Sequence, residues 1–79
     1  MMSKKIRNGS FYIMRECEDV SLVVTCLNEE RKLFDAILST GRVLHNIRTC
    51  DLSGKYVWVK NYKCWQEAVA CRMYKPDNT

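Results

Sequence analysis

The sequence predicts a two-layer α+β domain of order ββαββα, a four-stranded, mainly antiparallel sheet with both helices on one face. Three observations lead there. Runs rich in aromatic and β-branched residues recur at "SFYIMRE", "VSLVVTCL", "RVLHNIRTC" and "KYVWVK". Between the second and third runs lies "NEERKLFDAILSTG", whose apolar residues fall at helical spacing. After the fourth run, Trp65, Ala68, Val69 and Arg72 line up along one side of a second helical stretch.

In chain order, residues 1–9 are polar and carry Lys4, Lys5 and Arg7, the pattern of a loose basic arm. A single domain over residues 10–75 follows, and Pro76 ends it ahead of a frayed tail at 76–79. Residues 10–16 and 20–27 suit a β-hairpin, with "CED" polar enough to turn. A two-residue turn at Asp19-Val20 places Phe11, Ile13 and Cys17 on the face of Leu22, Val24 and Cys26, although Asp-Val is a poor pair for such a turn. Asn28 is positioned to cap a helix over 28–41, and Glu29 and Glu30 suit the positive end of its dipole. Leu33, Phe34, Ile37 and Leu38 form its apolar stripe, and Gly41 closes it in a left-handed conformation.

Residues 42–50 read as the third strand. "DLSG" at 51–54 matches a type I turn, with aspartate first and glycine last, and leads into the fourth strand. Asn61 is a candidate cap for a second helix over 62–74. A shift of 33 residues pairs Arg15 with Arg48, Cys17 with Cys50, Val24 with Val57 and Asn28 with Asn61, the outline of a duplicated unit.

Composition narrows the class. Of 79 residues, 47% are hydrophobic and 28% charged, a balance that excludes a disordered chain. The longest uninterrupted apolar runs are four residues, so no segment has the length of a membrane span. The basic start leads into no apolar signal region. Five cysteines, an odd number without a CxxC pair, do not suit a secreted disulfide framework. Together these features predict a cytoplasmic chain with reduced thiols that serve mainly as small buried apolar groups.

Chemistry is sparse. The single histidine, His45, has no motif around any cysteine that would make a nucleophilic dyad. His45, Cys50, Cys64 and Cys71 lack the tight spacing of a zinc site, and Cys64 and Cys71 on one helix stand about 10 Å apart. The glycines Gly9, Gly41 and Gly54 are isolated, with no phosphate-cradling loop. These patterns predict neither catalysis, nor a metal, nor a cofactor.

The informative stretch is "KYVWVKNYKCW" at 55–65. On a strand, Val57 and Val59 take one face while Tyr56, Trp58 and Lys60 take the other. If helices cover the valines, Tyr56, Trp58, Lys60, Tyr62 and Lys63 form a binding surface, for a protein through aromatic anchors or for nucleic acid through stacked bases. The opposite assignment makes the aromatics core. The net charge of +4 is scattered and interrupted by carboxylates, unlike the one-sided charge of most nucleic-acid binders. The reading favoured by subtraction is a small non-catalytic binding protein that docks on a protein partner and modulates or inhibits it. Such a format suits an accessory protein of a phage or mobile element, and a homodimer is compatible with it. The alternative is a nucleic-acid-binding regulator using Lys4, Lys5 and Arg7 with the aromatic strand.

Overall fold

The computed structural model describes residues 6–73 and contains five strands rather than four. They are β1 (Ser10–Met14), β2 (Ser21–Asn28), β3 (Leu33–Leu38), β4 (Val43–Arg48) and β5 (Tyr56–Asn61). A 3-10 turn at Thr49–Asp51 leads into the one-turn helix α1 (Leu52–Lys55). A second short helix, α2 (Trp65–Ala68), runs on into a π-helical turn at Val69–Met73. The sheet order is β4-β3-β2-β1-β5 with every neighbouring pair antiparallel. The first four strands meander; the chain then crosses to the far edge, where β5 pairs with β1.

The ββαββα expectation is therefore corrected at its first helix. The segment 28–41 holds the end of β2, a turn and β3. Phe34, Ala36 and Leu38 pack on one face of the sheet and Ile37 on the other. A strand covered on both faces loses its polar alternation. Leu33-Phe34 and Ile37-Leu38 are then adjacent residues on opposite faces, and their spacing imitates a helical stripe. Asn28 still uses its side chain locally, accepting the Arg31 N–H at 3.2 Å across the β2–β3 turn. Gly41, at φ +97°, serves the β3–β4 turn, where its N–H donates to the Leu38 carbonyl at 2.9 Å.

Other expectations shift as well. Phe11 pairs with Val23 and Tyr12 with Leu22, so Tyr12 shares the face of Leu22 and Val24 that had been given to Phe11. The two-residue turn is replaced by a longer one in which Met14 N–H donates to Val20 O at 2.9 Å. "DLSG" does not form a hairpin; it carries the chain from β4 to the opposite edge. The paired β1–β2 unit thus has no counterpart in β4 and β5, which do not touch as neighbours, and the proposed internal duplication fails. The second helix begins at Trp65 rather than 62, and its expected last residue, 74, lies outside the described residues. The helices do not share a face. Leu52 of α1 joins one core, while Ala68 of α2 joins the other.

Both cores follow from strand alternation. The first contains Tyr12, Leu22, Val24, Phe34, Ala36 and Leu52. Leu44 and Ile47 of β4 and Tyr56 and Trp58 of β5 all pack against it, although a flat five-stranded sheet sets its edges about 19 Å apart. Bulges explain the curl. Thr25 in β2, His45 and Asn46 in β4, and Val59 in β5 each sit at a register shift, and a bulge sharpens local twist. Asn46 has φ 55°, and its N–H donates to Asp35 Oδ1 at 3.0 Å, which fixes the β4 bulge. Burial pushes the Tyr12 phenol above its ordinary value of 10.0. The second core holds Phe11, Val23, Tyr62 and Ala68, with Phe11 and Tyr62 meeting edge to face at 6.3 Å between ring centres.

Two outcomes test this packing. Phe34 is 1% exposed, so Phe34→Ala should lower stability by about 3–5 kcal/mol, read as the shift in a denaturant midpoint. An unchanged midpoint would mean that β3 does not carry the core. Gly9 and Gly41 both have positive φ, but only at Gly9 would an added Cβ meet an obstacle, the Tyr62 carbonyl at 2.6 Å. Gly9→Ala should therefore destabilise clearly more than Gly41→Ala, which should cost about 1–2 kcal/mol. Equal effects would refute the close approach of Gly9 to the end of β5.

Candidate interaction surface

Strand β5 carries Tyr56, Trp58 and Lys60 of the predicted site, and its pairing with β1 decides where each one points. Trp58 lies opposite Tyr12, and Tyr56 opposite Met14. Tyr56 and Trp58 accordingly turn toward the first core and are half-buried there. Trp58 Nε1 donates to Asn61 Oδ1 at 2.9 Å. The same oxygen accepts Ser10 Oγ at 2.7 Å, and Ser10 Oγ in turn accepts the Arg7 N–H at 3.0 Å. Asn61 is thus a hydrogen-bonding node at the end of β5 rather than a helix cap. The N-terminal N–H of α2 is instead served from a distance, with Trp65 N–H donating to Asn8 Oδ1 at 3.2 Å.

Val59 is the bulged residue, and the bulge changes the face assignment that strict alternation predicts. Beyond it Lys60 lies opposite Phe11, so it joins the face of Val59 and not that of Trp58. Its Nζ sits 4.9 Å from the centre of the Tyr62 ring, a cation–π distance. Tyr62 itself is buried at 8% exposure in the second core. Lys55, Lys60 and Lys63 are exposed, and Val57 is 44% exposed. Of the predicted arm, Lys4 and Lys5 lie outside the described residues. Residues 6–9 are built into the fold: Ile6 packs on the first core, and buried Gly9 donates its N–H to Val24 O at 2.9 Å. Arg7 is exposed.

The sequence reading overlooked Lys55 and Val57 as surface residues. A usable signal was present: from Leu52 to Gln66 there are three lysines and not one carboxylate. Arg48, by contrast, stands 3.3 Å from Asp51.

The cysteines also depart from expectation. Cys17, Cys26, Cys50, Cys64 and Cys71 are all exposed and unpaired, so they are not buried apolar filler. His45 Nδ1 stands 3.5 Å from Asp35 Oδ2. Cys26 lies across the β2–β3 ladder from Asp35. Cys26, Asn28, Arg31, Asp35 and Asn46 border a shallow cavity of about 170 Å³. Among the described residues, no group of three His, Cys, Asp or Glu side chains is arranged to hold a metal ion, and no helix is long and apolar enough to cross a membrane. Comparison with protein-family models, with curated proteins and with solved structures finds no match to this chain.

The Asn61 node gives the next test. Asn61→Ala leaves Trp58 Nε1 and Ser10 Oγ without their acceptor and should lower stability by about 1–3 kcal/mol. A cycle with Trp58→Phe should show coupling of about 1 kcal/mol by chemical denaturation. Additive effects of the two changes would mean that the bond contributes nothing.

Proposed function

We propose that this chain is a small non-catalytic protein that docks on a protein partner and modulates it. The observation that carries this reading is the withdrawal of the aromatics combined with the exposure of Lys60 on the same strand and of Lys55 and Lys63 beyond its ends. Tyr56 and Trp58 are half-buried against the first core and Tyr62, just past β5, is buried, which withdraws ring surface from stacking with a base. Stacking is the sequence-tolerant part of single-strand recognition, so its loss weakens the nucleic-acid reading. What β5 and its flanking residues leave exposed is Val57 together with Lys55, Lys60 and Lys63. Charge at an interface steers association and selects the partner.

The nucleic-acid reading stands second, favoured by the absence of any carboxylate between Leu52 and Gln66. The two separate in one experiment. The tagged chain, isolated from its own cells with and without nuclease, should retain a stoichiometric protein partner after nuclease treatment. With that partner purified, Lys60→Gln and Lys63→Gln should slow association at low salt and change dissociation little. Loss of the partner on nuclease treatment, with oligonucleotide binding that falls steeply with salt, would replace the first reading by the second.

A further inference from the structure

We propose that the protein partner supplies an extended, acidic segment that adds to the free edge of β5 as a new strand. The inference rests on the docking reading above and names its surface and the chemistry of its occupant. β5 ends the sheet, and among the described residues nothing pairs with its outer edge. Two hydrogen bonds fix which backbone groups face β1: Tyr62 N–H to Gly9 O at 2.9 Å, and Arg15 N–H to Lys55 O at 2.8 Å. In an antiparallel ladder, residues direct their N–H and C=O alternately toward and away from the partner strand. Counting from Lys55, the backbone of Val57 faces β1 and that of Trp58 faces outward. The Tyr56 N–H is already used by Leu52 O, which leaves its carbonyl outward beside the free pair on Trp58. Exposed N–H and C=O groups in this arrangement template strand addition.

Charge selects the occupant. Lys55, Lys60 and Lys63 flank this edge, and the segment from Leu52 to Gln66 holds no carboxylate. A second copy docking edge to edge would set three lysines against three, and edge lysines are a recognised defence against self-pairing. An acidic strand meets the opposite condition and neutralises them. Val57, exposed as the second residue of the strand, gives such a segment an apolar contact. The other edge lacks these properties. On β4, Asn46 has φ 55° and its N–H is taken by Asp35, while Arg48 and His45 already face Asp51 and Asp35.

The test uses a labelled, end-capped peptide of alternating glutamate and valine, about eight residues long. Its control is the same peptide N-methylated on alternate residues, which blocks one backbone edge and keeps the charge. Fluorescence polarisation should show saturable binding of the first peptide. Binding should weaken by roughly tenfold or more for the methylated form and for the Lys55→Gln/Lys60→Gln/Lys63→Gln chain. Circular dichroism confirms that this variant folds, and Lys60→Glu alone serves if it does not. The proposal is overturned by equal binding of the methylated peptide or by no saturation up to about 1 mM. Tighter binding of an oligothymidylate than of the peptide also overturns it, in favour of a general polyanion site. A chain that fails here yet keeps its nuclease-resistant partner docks through another surface; loss of both removes the docking reading as well.

Discussion

Ser10 Oγ donates to Asn61 Oδ1 at 2.7 Å, and that bond joins the first strand to the last across 51 positions of sequence. Closing a loop of this length costs about 3.5 kcal/mol plus a constant. The closure is offset by what β5 brings with it: Tyr56 and Trp58 onto the first core, then Tyr62 into the second. Ser10 is fully buried, so the hydroxyl needs both of its partners, Arg7 N–H and Asn61. The residues just before it are held by the same closure. Gly9 lies against the Tyr62 carbonyl where no side chain fits, and Asn8 accepts the first N–H of α2. The N-terminal segment, the last strand and the last helix therefore stand or fall together.

The rest of the sheet is a local meander, and that is the part the sequence made legible. Four of the five strands lie within the runs that their composition marks out or overrun them by one residue, because aromatic and β-branched residues fit a pleated, half-buried surface. β3 was illegible for a definite reason. "NEERK" supplies helix formers and a plausible cap, but Asn28 ends β2 and the other four residues form the turn into β3. Ala36, a helix former by intrinsic preference, is wholly buried in the sheet. Tertiary packing on both faces overrode local propensity. The bulges add a second cause: each inserts one residue, so the period of two slips within a single strand. Lys60 shows the effect, since the extra residue at Val59 moves it to the face opposite Trp58.

At the surface, individual contacts decided what residue types alone left open. Trp58 was read equally as a core anchor or an exposed platform, and nothing in "KYVWVK" separates the two. Its indole N–H meets Asn61, and its partner across the ladder is buried Tyr12. A small sheet protein with two cores has few large rings to spare, and this chain places all three tyrosine and tryptophan side chains between 56 and 62 inward or half-inward. The cysteines went the other way. Their small apolar character predicts burial, yet all five are exposed, because the buried positions of the strands are filled by larger side chains such as Val23, Val24 and Phe34.

An edge strand must answer two opposite demands, and β5 shows how one set of residues meets both. Unpaired backbone groups beside an exposed valine invite any passing strand, including that of another copy. Lysines at Lys55, Lys60 and Lys63 oppose the copy because it carries the same charge. They do so without closing the edge, since a cation on a flexible stem repels one sign only. β4 manages its edge differently, with a residue at positive φ, with Arg48 paired to Asp51 and with His45 beside Asp35. That arrangement blunts the edge toward every incoming strand. The two edges thus differ in degree: on β4 the Asn46 N–H is taken at the bulge, whereas β5, apart from its own bulge at Val59 and the bonded Tyr56 N–H, is guarded by charge. A guard made of charge is selective, and selectivity is what separates a binding edge from a merely protected one.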